Sequence, residues 1–261
     1  RPIEEKGLSA HTIHGYVRAL KAFSIWLKDE GFTSRDIFAR LKRPKLPQPL
    51  IKVLADDEIE AILGCINPST LLGSRLYLII LLLLDTGIRA SELCTLKLDD
   101  THVNENYIKV KGKGSKERIV PFGATAKKAL IRYLHTFRPE SLPAVEELIL
   151  SQDGSSVSYV ALAHTIKRLG RKAGVPRLHP HLLRHTFAVR WLMNGGDLMS
   201  LRLILGHTDI SVTQQYLHLA QSHIEVSHNR FSPVDRLGIG SNGRRKQNRQ
   251  HYASSTSLTP A

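Results

Sequence analysis

Cysteine is almost absent: the 261-residue chain holds only Cys65 and Cys94. Two thiols can build neither a disulfide framework nor a zinc quartet. Long apolar runs are missing too. The longest, residues 76–84, falls far short of the ~20 residues that span a bilayer. No basic-apolar signal segment opens the chain and no internal repeat is present, so the sequence reads as cytoplasmic. It starts at Arg1 rather than Met, so its first unit is expected to be truncated. Acidic residues are the third scarcity. Aspartate and glutamate number 23 against 37 lysines and arginines, a formal net charge of +14. That balance points to a polyanionic partner, with nucleic acid ahead of an anionic membrane surface.

What is present suffices for an ordinary core, with 42% hydrophobic residues. Residues 1–43 read as a small helical unit. Ser9 caps a helix carrying Ile13, Tyr16, Val17, Leu20, Phe23 and Leu27 at helical spacing, and Gly31 ends it. Ser34 is expected to cap a second helix carrying Ile37, Phe38 and Leu41. Lys21, Lys42, Arg43 and, just beyond, Lys45 are candidates to meet a phosphate backbone, though any one of them is as readily a solvated charge. Residues 44–52, with Pro44, Pro47 and Pro49, form a stiff extended linker.

A larger domain then runs over 53–220. Asp56 is expected to cap its first helix. Residues 76–84 are apolar on every side, which predicts a helix in the middle of the core. Gly87 closes it, Arg89 stands in the turn and Glu92 begins the next helix. Residues 107–111 and 117–121 are strand-like runs around Gly112-Lys113-Gly114-Ser115, a strong hairpin signal crowded by Lys111, Lys113, Lys116 and Arg118. Amphipathic helices are expected over 125–137 and 158–173, the second rich in Lys167, Arg168, Arg171 and Lys172. Between them lies loop, with a short strand at 148–150. The tail, 221–261, is basic and then Ser/Thr-rich, and is expected to be partly disordered.

The stretch from His179 to Tyr216 carries the chemistry. His181 and Arg184 are three apart at the opening of an expected helix, so they share a face. Gly195 and Gly196 end that helix, Asp197 caps the next, and Gly206 stops it just before His207. Ser211 is expected to cap a short helix bearing Tyr216. Folded back on one another, these helices bring two imidazoles, a guanidinium and a phenol together. A phenol with a reference pKa of about 10 attacks only when activated. Guanidinium fits phosphate oxygens, and imidazole exchanges protons near neutrality. The set suits attack of tyrosine on a phosphodiester. Residue by residue, a core tyrosine, a helix cap or a histidine metal cluster built on His179, His181, His185 and His207 remains open.

The motifs HPHLLRHTFA and LGHTDISVTQQY resemble those of the tyrosine recombinase (phage integrase) family, and so do TGIRASEL (86–93) and VKGKGSKERIVPF (110–122). All four stand in the family's order. The resemblance implies a mainly α fold with a small antiparallel β-sheet: a helical DNA-clamping domain and a larger mixed catalytic domain. Members usually have a further helix ahead of this clamp. The implied activity is site-specific cleavage and rejoining of DNA through a 3′-phosphotyrosyl intermediate. It places Tyr216 as nucleophile, Arg89 and Arg184 on the non-bridging oxygens, and Lys113 as proton donor to the leaving 5′-oxygen. His181 would assist the tyrosine's proton, His207 would bind or orient the phosphate, and Glu92 would support the site from behind. Lys116, Lys167, Arg168 and Arg171 would contact DNA. No cofactor and no metal is implied. Expected partners are double-stranded recombination sites, a homotetramer in synapsis and accessory DNA-bending proteins, in a nucleoid-associated protein of a bacterium, phage or transposon. A type IB topoisomerase is the alternative, because it shares the phosphotyrosine chemistry.

Overall fold

The computed structural model describes residues 8–44, 53–112, 117–207, 213–214 and 216. The chain divides into two compact units, residues 1–50 and 51–261.

The first unit is built on α1 (Ala10–Asp29), whose N-cap Ser9 accepts a hydrogen bond from the Thr12 amide. Only Val17 of its apolar stripe is buried; Tyr16, Leu20 and Phe23 are exposed. Phe23 stacks on Trp26, which in turn leans on Phe32. The helix expected after Ser34 does not form, and residues 37–40 make a turn instead. The reason is local. Asp36, not Ser34, caps this stretch, accepting from the Phe38 amide and from Ser24 of α1. Lys21 donates to the Ala39 carbonyl and closes the turn.

The second unit is mainly helical with one small sheet. α2 (Asp56–Gly64) starts one residue earlier than a cap at Asp56 would allow: Glu58 reaches back to the Ala55 amide, and Asp56 is left to pair with Arg190. α3 (Leu71–Thr86) is the central helix, and its Leu78, Ile79, Ile80, Leu82 and Leu83 are all buried. Thr70 caps its start and Gly87, at φ +61°, ends it. A Cβ at Gly87 would lie 2.2 Å from the Phe187 ring, so position 87 demands glycine twice over. α4 (Ala90–Cys94) follows directly.

β1 (Thr101–His102), β2 (Tyr107–Lys111) and β3 (Glu117–Pro121) form an antiparallel sheet in that order. The pairing of Lys111 with Glu117 and Tyr107 with Pro121 fixes the β2–β3 register. The sequence signalled the hairpin; the two-residue β1 carries no alternation that could have. α5 (Ala124–Arg132) runs on into a π-helical turn, Tyr133–Phe137, so the single helix expected here changes pitch midway. The segment 148–150 is buried, with an isolated bridge from Leu150 to Ser156. α6 (Tyr159–Lys172) is capped by Ser158. α7 (Pro180–Met193) packs on α3, and α8 (Leu198–Leu205) packs on both α7 and β3. The start of this unit is stapled to α7: Thr186 accepts from the Leu54 amide, and Arg190 donates to the Leu54 carbonyl. No helix among the described residues is long and apolar enough to cross a membrane.

Candidate active site

Three chain reversals build the site. Gly87 ends α3 and places Arg89 at the N-cap of α4. Pro180 at the first position of α7 is pre-set for helix, and it places His181 and Arg184 on the turns that follow. Asp197 caps α8, accepting from the Ser200 amide, and Gly206 at φ +66° ends it, so that His207 turns back toward α7.

Arg184 is the fixed point, only 5% exposed. Its Nη1 donates to the Gly87 carbonyl at 2.6 Å and its Nη2 to the Leu205 carbonyl at 2.8 Å. A third contact, 2.9 Å, joins Nη2 to His207 Nε2. Arginine only donates, so His207 Nε2 must accept. A neutral His207 then carries its proton on Nδ1, which stands 2.9 Å from Thr213 Oγ1. The charge state agrees. Burial, with the charges of Arg184, Arg89 and Arg118, holds the His207 pKa down at about 4. Burial and the Arg89 charge also lower Arg184, to about 10, which leaves it cationic at neutral pH.

Tyr216 is 2% exposed, and its hydroxyl lies 2.7 Å from His185 Nδ1. Burial raises the phenol pKa, and the Arg184 charge offsets part of that rise. Burial, followed by the charges of His181, His179 and Arg184, pushes His185 down to about 4. The phenol therefore keeps its proton and shares a hydrogen bond with a neutral imidazole. His181 is exposed at the start of α7, its ring 6.4 Å from that of His185. Partial desolvation by its neighbours, then the charges of His179, Arg184 and Arg89, lower its pKa.

Arg89 is held by Glu92, which accepts from Arg89 Nη1 at 2.9 Å and from the Arg89 amide at 2.8 Å. Its side chain is 37% exposed, so the guanidinium is anchored on one side and open on the other. Glu92 also receives both Nη groups of Arg118. Burial would raise the Glu92 pKa, but the hydrogen bonds from Arg118 and Arg89 outweigh it and the carboxyl sits below its usual value.

The fold thus gathers Arg89, Glu92, His181, Arg184, His207 and Tyr216 in one region. Lys113, Lys116 and Lys45 lie outside the described residues, as do Ser211 and the tail. Lys42 and Arg43 are exposed in the first unit, and Lys167, Arg168 and Arg171 are exposed on α6. Among the described residues, no three His, Cys, Asp or Glu side chains converge as metal ligands would. Three participants had no part in the tyrosine's chemistry as read from the sequence: Thr213, His185, which stood only in a candidate metal cluster, and Arg118, which read as one more cation of the hairpin. His185 directly follows Arg184, and its contact with Tyr216 spans 31 residues of chain, which no local spacing reveals.

Residues 52–223 match the model of the phage integrase family. The tyrosine recombinase XerD of Listeria monocytogenes serotype 4b (strain F2365) is 36% identical over 233 residues, covering 88% of this chain and 78% of that protein. The crystal structure of the XerA recombinase superposes with a TM-score of 0.61 at 31% identity, over 88% of this chain and 78% of its own. The XerH site-specific recombinase, solved bound to a palindromic difH substrate in a post-cleavage complex, gives a TM-score of 0.74 at 25% identity, over 87% and 69%. With this likeness running through both the sequence and the fold that holds Arg89, Arg184 and Tyr216, the chain belongs to the phage integrase family and is a tyrosine site-specific recombinase.

Proposed function

We propose that the chain cleaves and rejoins double-stranded DNA at a specific recombination site, with Tyr216 as the nucleophile. The observation that carries this reading is the convergence of a buried arginine, a partly exposed Arg89 and a hydrogen-bonded tyrosine in one region. The Tyr216 oxygen attacks a backbone phosphorus, the P–O5′ bond breaks, and the DNA 3′ end stays on the protein as a phosphotyrosyl ester. A 5′-hydroxyl from the second strand reverses the step. One ester replaces another, so no external energy source enters. Arg184 has two N–H groups beyond its three described bonds, and these can meet the non-bridging oxygens together with Arg89.

Lys113 supplies the proton for the departing 5′-oxygen, as the family likeness suggests. His181 assists the phenol's proton once DNA is bound, while His185 holds the hydroxyl beforehand. His207, accepting from Arg184, orients that guanidinium rather than donating to phosphate in the resting chain. The exposed cations of α6 and of the first unit contact the DNA backbone. Four protomers on two sites form the exchanging assembly, with DNA-bending proteins as accessory factors.

The relatives give no support to a type IB topoisomerase, and one experiment separates the two activities. Nicked duplexes with a randomised centre are incubated with the chain, and the covalently retained strands are sequenced. Two copies of the recovered site are then placed in a supercoiled plasmid. Excision or inversion between the copies is expected; relaxation alone would mark a topoisomerase, and the absence of any retained strand would remove the reading.

A further inference from the structure

We infer that Arg118, on the third strand, is a positioning residue that fixes Arg89 and the turn before His207 relative to each other. The inference rests on the recombinase reading above. Arg118 shares the inward face of β3 with the fully buried Val120, and its side chain is 12% exposed. The guanidinium is spent on two separate elements. Nη1 and Nη2 form a fork on Glu92 at 3.0 and 2.7 Å, while Nε donates to the Ile204 carbonyl at 2.7 Å. Ile204 is the penultimate residue of α8. Two residues on, a Cβ added to Gly206 would meet the Arg118 guanidinium and Cδ at 3.0–3.1 Å, so the turn leading to His207 lies directly on this side chain.

Glu92 makes the second connection. It is 6% exposed, and the two oxygens that receive Arg118 also receive Arg89. A buried carboxylate needs its charge and lone pairs met. With Arg118 in place, half of that demand is met from the sheet side, and Arg89 can keep its outer edge for phosphate. Without it, Glu92 has only Arg89 to draw on, and the guanidinium is pulled inward while the turn before His207 loses its anchor. A lysine offers one point of charge and cannot fork onto Glu92 while bonding Ile204. Loss of Arg118 is therefore felt at the scissile phosphate, which Arg118 does not itself touch.

The test uses the full chain and the nicked duplex that wild-type protein retains. Arg118→Lys should bind that duplex within about threefold of wild type but form the covalent adduct at least about tenfold more slowly. Arg89→Ala should lose about 10²–10³. Because Arg118 acts on Arg89 through Glu92, the double variant should lose clearly less than the product of the two single losses. Losses that multiply in the double variant, or an Arg118→Lys rate equal to wild type, overturn the inference. If Arg118→Lys does not fold, the pair Arg118→Gln with Glu92→Gln removes both buried charges together and is read in the same way, its loss shrinking in the Arg89→Ala background. A wild-type chain that retains no duplex would instead count against the recombinase reading itself.

Discussion

His185 is the residue whose role only the folded chain discloses. Arg184 and His185 are neighbours in sequence, yet one turns into the protein to grip the Gly87 and Leu205 carbonyls and the other meets the Tyr216 hydroxyl. If His185 holds the phenol and His181 handles its proton, two substitutions separate the roles. His185→Asn, whose Oδ1 can occupy the place of Nδ1, should form adduct close to the wild-type rate. His185→Ala should be slower by about 10–10²-fold, the scale on which a misplaced reacting group is felt. His181→Ala should lose about 10²-fold or more as a proton-transfer partner. Rates are read by the covalent complex on nicked DNA. Adduct formation by His185→Ala at the wild-type rate would show that the observed bond has no part in the reaction.

At the scale of elements, the site is a set of helix ends, and two glycines make those ends possible. Gly87→Ala places a Cβ in the Phe187 ring and forces a left-handed φ on a residue that pays for it. The expected loss is at least about 2 kcal/mol, or about 4–8 °C in the melting midpoint of a unit this size, read by calorimetry. A midpoint unchanged within about a degree would mean that α7 gives way at no cost. These ends were legible in advance because glycine after an apolar run, Ser or Asp before one, and a Gly-rich turn between strand-like runs are local signals. The hairpin, the caps at Ser9 and Asp197, and the stops at Gly87 and Gly206 all rest on them. What escaped depends on distant partners. The cap at Asp56 is displaced because Arg190, far along the chain, claims that carboxylate. The turn after Ser34 follows Ser24 and Asp36 rather than its own apolar spacing. Arg118 reads as one more cation of a basic hairpin until Glu92 and Ile204 are seen around it.

For the whole molecule, the buried imidazoles make stability depend on acid. His185 and His207 titrate near 4 in the folded chain, against about 6.5 when exposed. Between those values the unfolded chain binds more protons than the folded one, so stability falls as pH drops from about 6.5 toward 4. Around His185 stand His181, His179 and Arg184; around His207 stand Arg184, Arg89, Arg118 and His185, and none of these groups favours a further positive charge beside it. Glu92, held below its usual range, adds a loss in the same direction at the acid end. The melting midpoint should therefore be lower at pH 5 than at pH 7, and His207→Asn should flatten the difference. An equal or higher midpoint at pH 5 would show that these rings are not kept neutral by the fold.

In the proposed reaction one oxygen, that of Tyr216, takes the DNA 3′ phosphate. The most direct measurement is to trap the covalent complex on nicked duplex, digest protein and DNA, and identify both the modified peptide and the attached end by mass spectrometry. The expected outcome is a nucleotide 3′-phosphate on Tyr216, a free 5′-hydroxyl on the released strand and no adduct from Tyr216→Phe, which still binds the duplex. Phosphate on another tyrosine such as Tyr107, linkage through a 5′ phosphate, or adduct from the Phe variant would contradict it.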